Sequence, residues 1–214
     1  MIPNSKKLLN FSIIILILGY PITILPQKFT KIEKEKIRHL GEILSEKQIK
    51  YGKQFFPDGK KGSIKMDCSN TIKYLYKESL GITLPRTSFE QYQAVKNTGN
   101  FNSTPKTAEG KIDTLLLRKK LKIGDLMFWV NTHNDIPKEW DPPIGHVMVF
   151  MGTSKTGKLT MFGAGTFGTG KRTQNGGVDF YHFDPEDRLG CIKDNLKNCI
   201  KESEFIGFGK PLLE

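Results

Sequence analysis

The sequence predicts an α+β domain in which N-terminal helices pack on an antiparallel β-sheet, and three observations carry that prediction. Apolar residues in the first half recur at helical spacing, whereas those of the second half fall into short aromatic and β-branched runs separated by Gly-containing turns. Helices come first and strands afterwards, with hairpin-length links and no regular β–α alternation. Hydrophobic residues make up 37% and charged residues 26% of 214 residues, the proportions of one packed domain with a short appendage rather than of a disordered chain. No repeat of solenoid or propeller period interrupts it.

The appendage is the N-terminus. Lys6 and Lys7 precede an apolar stretch over residues 8–25, broken by Pro21, which reads as a secretory signal or an uncleaved anchor. The predicted division is therefore a leader over 1–27 and a domain over 28–214. The expected location is the cell envelope, periplasmic or secreted, with membrane anchoring through residues 8–25 where the leader is retained. The net charge is +11, and only Lys6 and Lys7 of the basic excess lie in the leader. A basic exported domain suits anionic polymers such as phospholipid head groups or the carboxylates of wall peptides. The lysines are scattered without an interleaved aromatic platform, which argues against nucleic acid as a partner.

Each element follows from local pattern. Over residues 29–51, Ile32, Ile37, Leu40, Ile43, Leu44 and Ile49 predict an amphipathic helix. Residues 52–66 form a Gly- and Lys-rich loop around Pro57-Asp58-Gly59. A second helix runs over 69–80, with Ile72, Leu75, Tyr76 and Leu80 as its buried stripe and Gly81 as its stop. A third covers 89–95, and the polar stretch 97–109 reads as a surface excursion. Strands are predicted at 125–130, 146–151 and 158–162, with weaker ones at 177–183 and 205–208.

The chemistry is concentrated in two residues. Cys191 and Cys199 lie close together near the C-terminus and predict a small disulfide loop in an oxidising compartment. That leaves Cys68 unpaired. It opens the second helix, where unpaired backbone N–H groups and the helix dipole favour a thiolate, the nucleophilic form. Those N–H groups can also hold the oxyanion of an attacked carbonyl. A buried structural thiol is the competing reading of the same position. His146 opens a strand after the loop 131–145, where it can face a helix terminus packed on the sheet. His39 and His133 read as surface residues, and His182 as either a site residue or a sheet-face polar group. No cluster of ligating residues calls for a metal, and no motif calls for an organic cofactor.

Asp67-Cys68-Ser69, a helix, and then Gly81-Ile82-Thr83-Leu84-Pro85-Arg86-Thr87-Ser88 with Gln91 resemble the NlpC family pattern D-C-S, helix, G-x-x-L-P-R-x-S-x-x-Q. Residues 124–129 look like that family's G-D-L-x-F-F strand, and residues 145–152 are similar to its H-V-G-I-Y-x-G strand. The end, residues 205–210, matches the closing strand more loosely. The resemblance implies a papain-like fold and a cysteine amidase acting on peptidoglycan stem peptides. In that reading Cys68 is the nucleophile, His146 the base, and Asp67, Ser69 and Arg86 shape the site. Asn70 departs from the family's Gly, and residues 97–122 lengthen the link between the motif blocks. Phe56 falls where the family has a pocket tyrosine, so Tyr51 is the candidate replacement. The family's third polar residue, which orients the imidazole, aligns with Gly163. Thr160 faces the other side of that strand, leaving His182, Asn175 or a water as substitutes. Two rivals accompany this reading: a papain-like amidase or acyltransferase on another amide substrate, and a non-catalytic envelope binding module.

Overall fold

The computed structural model describes residues 29–53, 64–166, 168 and 170–211, so the leader and Phe56 lie outside the described residues. The order of elements is α1 (Lys31–Glu46), β1 (Lys50–Tyr51), β2 (Lys65–Met66), α2 (Cys68–Leu80), α3 (Ser88–Asn97), β3 (Asn102–Ser103), α4 (Thr114–Lys120), β4 (Leu126–Val130), β5 (Ile144–Thr153), β6 (Leu159–Gly165), β7 (Gly177–His182), β8 (Cys191–Lys193), β9 (Cys199–Glu202) and β10 (Glu204–Gly209). Six strands form an antiparallel sheet in the order β3-β10-β4-β5-β6-β7. The predicted α+β class, helices on a mainly antiparallel sheet, is the one observed.

Strand alternation gives the sheet two apolar faces. Val147, Val149, Phe162 and Phe180 turn toward Ile37, Leu44, Ile72, Leu75 and Val95 of the helices. Met127, Trp129, Met148, Phe150, Met161 and Tyr181, with Phe205 and Phe208 of β10, form the opposite face, packed with Leu117 of α4 and with Phe183. With both faces occupied, the central strands read as continuous apolar runs: every residue of β4 is buried.

The first helix begins with a capping box between Thr30 and Glu33 and buries Ile37, Gly41, Leu44 and Ser45. It stops at Glu46 and does not run to residue 51. Gln48 turns left-handed at φ 49°, and the Ile49 carbonyl accepts the Val178 N–H at 2.8 Å. Ile49 is thus drawn to the edge strand β7, and the apolar spacing that looked helical is satisfied by a sheet contact. Ile32 and Ile43, counted in the predicted stripe, are exposed. The turn carries Tyr51 into β1, which pairs in parallel with β2 directly before Cys68.

The second helix has Asp67 as its N-cap and Gly81 as its C-cap, at φ +75°. Only glycine takes that left-handed conformation at little cost. Mid-helix, the buried Tyr76 hydroxyl donates to the Gly124 carbonyl, fixing α2 to the turn before β4. Four features escaped the pattern reading: the β1–β2 pair, α4, the edge strand β3 inside the expected excursion, and the β8–β9 hairpin. No residue of β9 is buried, so no alternation marks it. Among the described residues, no helix is long and apolar enough to cross a membrane.

Asp125 sits at the start of β4, 5% exposed, accepting the Lys122 N–H at 2.7 Å with the Lys210 ammonium 3.8 Å away. Burial outweighs those partners and pushes its carboxyl up from 3.8 to about 6. The folded state therefore holds this proton more tightly than the unfolded chain. The protonated carboxyl's advantage is present below pH 4 and is lost as pH rises through about 6. Asp125→Asn is expected to gain stability over the parent by on the order of 1–3 kcal/mol between pH 4 and pH 7. Urea unfolding of both proteins at the two pH values measures it, and a constant difference would refute the assignment.

Candidate active site

Cys68 is the first residue of α2 and His146 lies near the start of β5; together with Tyr51 they line one cavity of about 720 Å³. The thiol is 6% exposed and receives hydrogen bonds from the backbone N–H groups of Ser69 and Val147, the second of these the residue following His146. The N-terminus of α2 thus abuts the mouth of β5. The Tyr51 hydroxyl is hydrogen-bonded with Cys68, and burial raises its pKa well above the ordinary phenol value. Tyr51, the candidate replacement for a pocket tyrosine, thus reaches the thiol from β1.

A polar frame holds the helix start in place. Asp67 caps α2 by accepting the Asn70 N–H at 2.9 Å. Arg86 donates to both Asp67 carboxylate oxygens, at 2.5 and 3.3 Å, and to the Ser69 hydroxyl at 2.8 Å. Such a two-pronged guanidinium contact fixes direction as well as charge. Gln91, fully buried, spans the Ser69 and Pro85 carbonyls at 3.0 and 2.9 Å. Ser88 donates to the Ile144 carbonyl at 3.2 Å, tying α3 to β5 two residues before His146. The L-P-R-x-S-x-x-Q run is therefore a clamp on both halves of the pair. Ser88 and Gln91 belong to the quoted motif, and their spacing was the signal for their positions.

Burial governs the electrostatics. It pushes the Cys68 thiol up to about 11, assisted by the Asp67 carboxylate and opposed by the two backbone donors. Burial also lowers the His146 imidazole to about 4, with nearby His133 adding to the effect and Asp67 opposing it. Both directions favour a neutral thiol beside a neutral imidazole at rest. The Trp129 ring meets the imidazole edge-on, 5.8 Å between centroids.

The third position departs most. Gly163 carries no side chain, and the Met148 sulfur lies where its Cβ would project. His182 does not take over the orienting role. It is exposed and pairs with Thr160, beside Gly152 of β5. That is six residues beyond His146, or about 20 Å along a strand. Asn175 is exposed and outside the cavity lining. His133, expected at the surface, is exposed but does line the cavity mouth. Close by, the buried Thr132 hydroxyl lies against Gly145, leaving no room for a side chain there. The β8–β9 hairpin brings the Cys191 and Cys199 side chains into contact, and the Cys199 thiol is raised first by its hydrogen bond to Cys191.

A helix-terminal thiol set against a histidine at the mouth of an antiparallel sheet is the arrangement of the papain-like fold. Residues 52–160, about half of the chain, match the model of the NlpC/P60 family, and the chain belongs to that family. It is a family of cell-wall peptidases and amidases acting on peptidoglycan-type material. A Staphylococcus aureus subsp. aureus Mu50 structure, described as similar to a lipoprotein of the NLP/P60 family, aligns with a TM-score of 0.45 at 18% identity. The alignment covers 85% of this chain and 44% of that one, so this chain spans less than half of its length. Comparison with curated proteins found no match.

The raised thiol pKa gives a direct test. Only the thiolate alkylates, and its fraction grows about tenfold per pH unit below the pKa. Iodoacetamide labelling of Cys68, followed by mass spectrometry, is expected to accelerate steadily from pH 6 to pH 10. A rate already flat above pH 5 would instead mark a resting thiolate–imidazolium pair.

Proposed function

We propose that the protein is a cysteine-type amidase that hydrolyses amide bonds in the stem peptides of peptidoglycan. The observation that carries this reading is the meeting of Cys68, His146 and Tyr51 in one cavity, within a chain of the NlpC/P60 family. Cys68 Sγ attacks the amide carbonyl while His146 takes the thiol proton and passes it to the leaving amine. A thioester to Cys68 remains. Water, deprotonated by the same imidazole, then releases the acid and restores the thiol. The Tyr51 hydroxyl, which is hydrogen-bonded with the sulfur, is suited to donate to the oxyanion together with backbone N–H groups at the start of α2. Asp67, Ser69 and Arg86 hold that helix start and act through position.

The basic charge and the N-terminal leader support work in the cell envelope, with the chain exported or anchored through residues 8–25. A purely binding role leaves the Cys68–His146 pair without a use. The deciding experiment is digestion of purified peptidoglycan by the 214-residue chain, with released muropeptides read by mass spectrometry and Cys68→Ala as control. New stem-peptide products that vanish in the variant are expected. Tyr51→Phe is expected to lower kcat by about 10- to 100-fold with little change in KM, as for loss of one oxyanion donor. An intact digest together with an alkylation-resistant Cys68 would overturn the amidase reading.

A further inference from the structure

The cavity does not have one character throughout. Its mouth carries Lys53, Arg86, His133 and Asp135, all exposed, with Arg86 already engaged by Asp67. Its apolar lining residues lie deeper in the fold than those charges: Met148 at 2% exposure, Met161 at 5%, Tyr181 at 8%, and the half-buried Leu189. Trp140 closes one side, its ring stacked on Phe89 at 4.9 Å and 9°. The Tyr181 hydroxyl is satisfied within the fold, donating to the Gly177 carbonyl at 2.6 Å. The apolar floor has a local cause. Gly163 has no side chain, and Met148 lies across it, so thioether and methyl surface occupies the place where a polar group would stand.

We propose that this inner half binds an apolar acyl group, the carbonyl-bearing half of the substrate that becomes esterified to Cys68. The inference rests on Cys68 as nucleophile and refines the substrate class of the same site. A carboxylate or ammonium carried into this region would be stripped of water against two thioethers, a leucine and a ring face, with no counter-charge among the residues that form it. An alkyl chain there gains with each methylene buried. The polar and charged part of the substrate, the amine half, stays at the mouth beside Arg86, His133 and Asp135.

The test is a series of p-nitrophenyl esters from acetyl to hexanoyl, with the 214-residue chain and Cys68→Ala. In each reaction the S–C bond to Cys68 forms and the bond to p-nitrophenolate breaks. The thiol proton passes to His146 and on to solvent. Second-order acylation rates, referenced to the same esters with N-acetylcysteine, are expected to rise about two- to fourfold per added methylene. The mass of the acyl-enzyme locates the group on Cys68. Met161→Glu is expected to flatten the series; should that variant fold poorly, the slope of the parent protein decides alone. Rates that are flat or fall with chain length, while acetyl still loads Cys68, would overturn the apolar site and leave the nucleophile intact. Failure of every ester to acylate Cys68 would overturn the nucleophile assignment, and this inference with it.

Discussion

The structure turns on the seating of one helix end. The first turn of α2 must meet the first residues of β5, because Cys68 and His146 can exchange a proton only if two separately formed elements meet there. The bidentate contact of Arg86 with Asp67 does much of this, since it adds a guanidinium to a carboxylate already used as a helix cap. Gln91 then fixes the Ser69 carbonyl, and Ser88 fixes the Ile144 carbonyl on the strand side. The two anchors are three residues apart on α3, so a single helical turn ties the start of α2 to the start of β5.

Burial has a cost that the same frame meets. A neutral thiol and a neutral imidazole are both favoured by the dry surroundings, and the Asp67 carboxylate opposes ionisation of Cys68 while favouring that of His146. Arg86 beside Asp67 moderates the first effect. The Tyr51 hydroxyl reaches the Cys68 sulfur from a two-residue parallel strand rather than from the helix the apolar spacing predicted.

The exchange at positions 148 and 163 reshapes the rest of the cavity. The Met148 sulfur of β5 fills the space that a side chain at Gly163 of β6 would need. The imidazole loses a side-chain partner from β6 and keeps the edge of Trp129 and the neighbourhood of His133. The cavity gains an apolar wall. One substitution alone would clash or leave a void, so the two residues make sense only together.

The sequence by itself determined the elements that short stretches specify: α2 with its Asp67 and Gly81 caps, the apolar runs of β4 and β5, and the motif residues around Cys68, Arg86 and His146. Those signals are local, because capping, strand alternation and turn chemistry act within a few residues. Tertiary structure alone decided where α1 ends, because the Ile49 carbonyl answers to Val178 of a strand more than a hundred residues away. It alone decided that His182 lies at the wrong end of β7, a matter of register, and that the all-exposed β9 pairs with β8. It also decided that Met148 covers Gly163. Contacts across strands depend on which backbone groups lie opposite one another, and no periodicity within either strand records that choice.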